Sequence, residues 1–280
     1  MTEPPNSGPS PPVVITEVVD RIGIITLNRP ARRNALNGEL IAALDVAVQE
    51  MAENDGVKVV VLTGAPGEGQ HGGFCSGGDT KDGGMITNGD PSAPPQHPLA
   101  GDLARHDLQA AMLLHVMPKP TIAMIGGPAV GAGFSLAGAC DLRFASDDAV
   151  FSSNFSANGL SGDYGGTFFW TRIIGTARTR ELYFINDKLS AQQAFEWGMV
   201  NRVLPAAELA DHTMAVARQM LRTPASLWAL LKDNLNRAED DADRRRLLFA
   251  NESANMVKAM DDIAERMSRK AAQPDTRRRA

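Results

Sequence analysis

Thr121-Ile122-Ala123-Met124-Ile125, then Gly126-Gly127-Pro128-Ala129-Val130-Gly131-Ala132-Gly133, then Phe134-Ser135-Leu136-Ala137-Gly138-Ala139, and past Cys140-Asp141 the run Leu142-Arg143-Phe144-Ala145 together decide the fold. The first five residues read as an apolar strand, the glycine-rich stretch as a turn, the small residues as a helix and the last run as a second strand. A strand, a glycine loop, a helix and a strand in succession make an α/β unit. In such units the loop and the helix N-terminus lie at the carboxyl end of the strand. Unpaired N–H groups there can meet a ligand.

Upstream, Val57–Leu62 is nearly all apolar and predicts a strand buried on both faces. Leu103–Met117 predicts a helix stopped by Pro118. Val13–Val19 and Ile22–Leu27 flank Asp20-Arg21 and read as a hairpin. Asn37-Gly38-Glu39 opens an amphipathic helix through Leu40, Ile41, Leu44, Val48 and Met51. Downstream, Ala149–Ser153 predicts a further strand and Tyr164–Ile173 a helix. From Thr176 the pattern is almost wholly helical, clearest over Ala206–Arg222 and Ala225–Asn236. The expected organisation is a disordered, proline-rich tail over residues 1–12, an α/β core over 13–203 and a helical region over 204–280.

The chain has 280 residues, with 28 Lys and Arg against 33 Asp and Glu. A formal charge of -5 excludes a broadly basic nucleic-acid binder. Its two cysteines, Cys75 and Cys140, cannot make a disulfide framework or a cysteine-only zinc site, and they suit a reducing compartment. No apolar run reaches membrane-spanning length, so no membrane association is expected. Met1-Thr2-Glu3-Pro4-Pro5 lacks the basic start and apolar stretch of a signal peptide, and a cytoplasmic location is expected. His71, His97, His106 and His115 form no metal-ligating pattern.

Two glycine-rich segments are candidates for chemistry: Gly72–Asp79 and Gly131–Phe134. Gly64-Ala65-Pro66-Gly67-Glu68-Gly69 lacks the Lys-Ser/Thr of a phosphate loop. The 131–136 segment has Leu136 where a dinucleotide fingerprint has its third glycine. A serine hydrolase is a further reading: Gly133-Phe134-Ser135-Leu136-Ala137 approximates a nucleophile elbow, with Asp163 and His212 following in the required order. Ala137 in place of the second glycine, and His212 within a regular helix, weigh against it.

The ordered set of motifs resembles the crotonase, or enoyl-CoA hydratase/isomerase, superfamily over about residues 13–203. Leu27-Asn28-Arg29-Pro30 with Asn34-Ala35-Leu36-Asn37 looks like its N-terminal signature. Phe74-Cys75-Ser76-Gly77-Gly78-Asp79 looks like its first oxyanion segment, nearest in wording to dihydroxynaphthoyl-CoA synthases. Lys119-Pro120-Thr121-Ile122-Ala123 with Gly131–Leu136 and Cys140-Asp141 resembles the second, and Trp197–Val203 a later landmark. The resemblance implies an α/β spiral of ββα units with a C-terminal helical trimerisation region, giving homotrimers or hexamers. It also implies coenzyme A as part of a thioester substrate, with no tightly bound cofactor. The backbone N–H groups of Ser76 and Ala132 would hold the thioester oxygen, where negative charge grows as an enolate or tetrahedral adduct forms. Arg33, Lys81 and Lys270 match basic positions that contact coenzyme A. Cys75, Gly78 and Asp79 of the first segment are counted with them, although Asp79 also reads as a loop or cap residue and Asp141 as a structural partner.

Hydratases of this superfamily use two glutamates, which would align at Ser135 and Phe155. Two-glutamate hydration is therefore not expected. Asp163, in Gly159-Leu160-Ser161-Gly162-Asp163-Tyr164-Gly165-Gly166, matches an active-site aspartate of dienoyl-CoA isomerases and the nucleophilic aspartate of chlorobenzoyl-CoA dehalogenases. It also reads as the N-cap of the following helix. Its catalytic reading is double-bond isomerisation or atypical hydration, with Ser135 and Tyr164 as auxiliaries and burial by Phe155 and Phe168 easing proton return. Thioester hydrolysis, attack on an activated ring and non-catalytic acyl-CoA binding are the alternatives. Residues 83–100, rich in proline, read as a cover for the acyl pocket.

Overall fold

Two residues with left-handed backbone, Asp20 (φ 51°) and Arg21 (φ 68°), turn the chain between β1 (Val14–Val19) and β2 (Ile22–Leu27), which pair antiparallel with Val19 opposite Ile22. The hairpin is the one the sequence predicts, and its two-residue turn needs this backbone. The structure is a computed structural model, described here for residues 11–67, 73–79, 109–158 and 162–239.

Beside β2 lie β3 (Val59–Gly64), β4 (Thr121–Ile125), β6 (Leu142–Ser146) and β9 (Arg202–Leu204), all parallel, in the order β1-β2-β3-β4-β6-β9. A smaller sheet holds β5 (Ala129–Val130), β7 (Val150–Ser152) and β8 (Leu189–Ser190). Single bridges, Cys75 with Ala129 and Leu36 with Gly78, extend this second layer toward the N-terminus. Successive passes of the chain thus give one strand to the large sheet, a short extended piece to the small layer and then a helix. This is the spiral of ββα units that the motifs imply.

The helices are α1 (Gly38–Glu53), α2 (Gln109–Val116), α3 (Ala132–Ala139), α4 (Gly166–Ile185), α5 (Ala191–Glu196), α6 (Ala206–Met220) and α7 (Ala225–Glu239). Asn37 caps α1, its Oδ1 accepting from Leu40 N–H at 3.0 Å, a contact worth about 1 kcal/mol. Alternate residues of each central strand serve two cores. Ile25, Leu27, Val60, Leu62, Ala123 and Ile125 pack with α1 to α4, while Ile22, Val59, Val61, Ile122 and Phe144 pack with Leu209 and Ala217 of α6. Burial on both faces is why 57–62 carries no polar alternation.

The pattern beyond Thr176 is less helical than expected, because β8 and β9 lie within it. At two and three residues they are too short to show a period. The helix expected over Tyr164–Ile173 starts at Gly166 and continues to Ile185, interrupted by Gly175 (φ 79°, ψ 165°). The described part of the helix expected over 103–117 is α2. Residues 83–100, most of the expected tail and the chain beyond 239 lie outside the described residues. Among those described, no helix is long and apolar enough to cross a membrane.

Candidate functional site

The 29–34 turn is held by a buried asparagine with positive φ (55°). Asn34 Oδ1 accepts from Arg29 N–H at 2.9 Å, and its amide donates to Ala65 O at 3.1 Å and Gly73 O at 2.6 Å. One side chain thus ties the turn to the loop after β3 and to the 73–79 segment. Arg29 Nη1 also pairs with Asp79 Oδ2 at 2.9 Å, and Asp79 is 4% exposed. Asp79 N–H donates to Leu36 O and Leu36 N–H to Gly77 O, each at 2.8 Å, with Gly78 between them. The Asp79 carboxylate fastens the loop, the structural role that its sequence context allows.

On the other side of this segment runs the chain that leads into α3. Cys75 N–H donates to Pro128 O at 3.1 Å, and Val130 N–H to Cys75 O at 2.9 Å. A Cβ at Gly133 would lie 2.3 Å from Cys75 O, so only glycine allows α3 to seat this closely. Ala132 is the first residue of α3 and has no helical carbonyl four residues back to accept its N–H. Its nitrogen lies 3.6 Å from where a Gly77 side chain would begin, which brings the two expected oxyanion segments together. Ser76 N–H, however, donates to Arg33 O at 3.1 Å. Arg33 is exposed at this rim, with a left-handed backbone (φ 50°). Cys75 is fully buried, and burial above all pushes its thiol up to about 12, with the charge of Asp163 adding and the Gly77 N–H opposing. A protonated core thiol is no nucleophile.

Ser135 lies one turn into α3 and is buried, its Oγ 3.4 Å from Gly131 O. The 162–166 turn faces it. Tyr164 takes φ 49°, a strained value for an aromatic residue, and is 2% exposed. Asp163 O accepts from Gly166 N–H at 3.1 Å, while Gly165 occupies the N-cap of α4 with no side-chain cap bond. Asp163 is therefore not the helix cap. Phe155 is buried, whereas Phe168 is 39% exposed with the Arg172 guanidinium 3.5 Å from its ring, so cover on this side comes from Phe155.

Sequence reasoning missed Tyr183. It lies on α4 beyond the Gly175 break and returns to the site, its ring stacked on Phe155 at 5.9 Å and 15°. Burial, opposed by a neighbouring Ser135 hydroxyl and reinforced by the Asp163 charge, pushes its phenol well above the ordinary range. Asp163 thus acts on both Cys75, from the first segment, and Tyr183. The chain has two tyrosines, and both stand at this site; that scarcity was the available signal.

The hydrolase arrangement is not formed. His212, on α6, packs edge-on against Phe144 at 5.1 Å in the core on the opposite face of the sheet from α3. Asp141 is structural, as expected: its Oδ2 accepts from Thr121 N–H (2.7 Å), Thr121 Oγ1 (2.9 Å) and Lys232 Nζ (2.8 Å). Lys81, Lys270, His71, His97 and His106 lie outside the described residues. Among the described residues, no group of three or more His, Cys, Asp or Glu side chains could hold a metal ion.

Residues 17–273 match the family model described as enoyl-CoA hydratase/isomerase. The 1,2-epoxyphenylacetyl-CoA isomerase of Escherichia coli K12 is 35% identical over 226 residues, covering 81% of this chain and 82% of the relative. The 4-chlorobenzoyl coenzyme A dehalogenase-1 of an Arthrobacter species is 32% identical over 235 residues, covering 81% and 79%. Among solved structures, an enoyl-CoA hydratase from Mycobacterium smegmatis superposes with a TM-score of 0.78 at 27% identity, covering 89% of this chain and 91% of that one.

Proposed function

The chain belongs to the enoyl-CoA hydratase/isomerase family, and from that premise we propose that it is an enzyme that moves a double bond in an acyl-CoA thioester, with Asp163 as its acid/base. One observation carries this reading: the turn that holds Asp163 packs on α3 and α4, a Cβ at Gly166 falling 2.3 Å from Ser135 Oγ and one at Gly162 falling 3.3 Å from the Tyr183 ring, which sets Asp163 beside the helix that begins at Ala132. A thioester lodged there exchanges its oxygen for the Arg33 carbonyl at Ser76 N–H, and Ala132 N–H supplies the second donor. Asp163 then takes a proton from the carbon beside the thioester carbonyl, and the electron pair moves onto the oxygen held by the two N–H groups. Return of that proton to a different carbon shifts the double bond. Ser135 and Phe155, standing where a hydratase would carry two glutamates, leave the proton traffic to one carboxylate. Exposed Arg33 at the rim is placed for a phosphate of coenzyme A.

A second reading, attack of Asp163 on an aromatic ring activated by the thioester, is favoured by the stacked Phe155–Tyr183 wall and by the dehalogenase among the relatives. Trimeric or hexameric assembly belongs to the same proposal. Phe184 (78% exposed) and Ile185 at the end of α4 supply an apolar surface for it, and light scattering tests it. The deciding experiment incubates the protein with enoyl-, dienoyl- and aryl-CoA thioesters and follows the products by mass spectrometry and chromatography. Isomerisation keeps the mass, hydration adds water to the thioester, and the appearance of free coenzyme A with the carboxylic acid marks hydrolysis. Isomerisation that disappears in Asp163→Asn is the expected result; isomerisation unchanged in that variant overturns the role of Asp163.

A further inference from the structure

We propose that Tyr183 and Ser135 form a hydroxyl pair that hydrogen-bonds an oxygen atom carried by the acyl group itself, so that the site selects CoA thioesters bearing a hydroxyl, epoxide or carbonyl oxygen beyond the thioester. The inference rests on the acyl-CoA reading above and adds a substrate class to it. Tyr183 is 8% exposed, and its hydroxyl is buried without a hydrogen-bond partner among the described residues. Its ring is stacked on Phe155 and tilted against Phe134 at 6.5 Å, which fixes where the hydroxyl lies.

The second hydroxyl is close by. A Cβ at Gly166 would lie 2.3 Å from Ser135 Oγ and 2.4 Å from Tyr183 Oη, so both oxygens converge on the one residue there that has no side chain. Ser135 is fully buried, and its hydroxyl makes a long hydrogen bond to Gly131 O at 3.4 Å and neighbours the Tyr183 phenol. Burial, with the Asp163 charge beside it, keeps the phenol protonated and hence a donor. Buried hydroxyls are rarely left unmatched, because withdrawing such a donor from water is unfavourable unless an acceptor replaces the water. An oxygen-bearing acyl chain supplies that acceptor. A plain hydrocarbon chain leaves the Tyr183 hydroxyl buried and unmatched, which makes a site of this kind discriminate against the analogue that lacks the oxygen. The hydroxyls lie against the turn that carries Asp163, so an oxygen bound to them also fixes which carbon faces the carboxylate.

The test measures, by calorimetry on the full chain, the affinity for matched thioesters: butyryl-CoA against 3-hydroxybutyryl-CoA, and phenylacetyl-CoA against 2-hydroxyphenylacetyl-CoA. At least one oxygenated member is expected to bind about ten-fold tighter or more. Tyr183→Phe, which keeps the ring and its stacking, removes that preference while leaving the plain thioesters within about two-fold. Ser135→Ala, read by the same ratio, reduces it and serves if Tyr183→Phe does not fold. Binding of plain and oxygenated thioesters with no difference, or a preference that survives both substitutions, overturns the hydroxyl pair and leaves the acyl-CoA reading standing. Failure of the unmodified protein to bind any of the four thioesters overturns both.

Discussion

Asp79 and Asp163 each follow glycine in a loop, yet their surroundings differ: Asp79 is a fastener, while Asp163 is the proposed acid/base. Asp79 is 4% exposed and lies 2.9 Å from the Arg29 guanidinium, with its backbone paired to Leu36. Asp163 stands in a strained turn, and the groups its charge acts on, Cys75 and Tyr183, are acids that burial keeps protonated. A carboxylate matched to a permanent cation is fixed in charge and serves as a fastener. A carboxylate that serves as an acid/base, the part proposed for Asp163, has to change its protonation during the reaction, which a fixed ion pair resists. Burial alone would have ranked Asp79 as the more functional of the two.

The largest expected effect separates them directly. Asp163→Asn lowers kcat by about 10²–10⁴, the range for loss of a general acid/base, while thioester affinity measured by calorimetry stays within about two-fold. Asp79→Ala breaks the ion pair with the part-buried Arg29 guanidinium and lowers stability by about 3 kcal/mol in urea unfolding. An Asp79→Ala protein as stable as the original would break the contrast. A smaller effect is expected of Gly166→Ala, whose methyl meets both Ser135 Oγ and Tyr183 Oη; overpacking of this kind lowers stability by about 1–3 kcal/mol, read from the same urea curves.

The smallest effect concerns pH. Cys75 and Cys140 are both raised from about 9 to about 12, chiefly by burial. The folded chain keeps these two thiol protons while the unfolded chain releases them above about pH 9. Stability therefore falls as pH rises from about 9 toward 12, by about 1.4 kcal/mol per pH unit for each thiol. Urea midpoints at pH 8 and pH 10 should differ in that direction, and equal midpoints would contradict the burial of the thiols.

Much of the frame was legible because its residues announce themselves locally. The apolar run 57–62, the Asp20-Arg21 turn and the Asn37 cap each act on neighbours in sequence. The glycine segments around Ser76 and Ala132 were legible for a related reason: close backbone approach excludes side chains, as Gly133 against Cys75 illustrates. Tyr183 was not legible, since nothing in Glu181-Leu182-Tyr183-Phe184 indicates that α4 resumes after Gly175 and carries one ring back to Phe155. Nor was Lys232 legible, which reaches from α7 to the Asp141 carboxylate at 2.8 Å. The very short β8 and β9 escaped because pairing with β7 and β6, rather than any pattern of their own, makes them strands. The engagement of Ser76 N–H by the Arg33 carbonyl was likewise hidden, since it depends on the left-handed turn that Asn34 secures.

The most direct measurement is a crystal structure of the protein with a bound, slowly reacting acyl-CoA thioester. The expected result has the thioester oxygen within about 2.7–3.1 Å of both Ser76 N and Ala132 N, the Arg33 carbonyl displaced, and the carbon beside the carbonyl facing Asp163. A thioester oxygen bound away from these two nitrogens, or an acyl chain that runs away from Asp163, would contradict it.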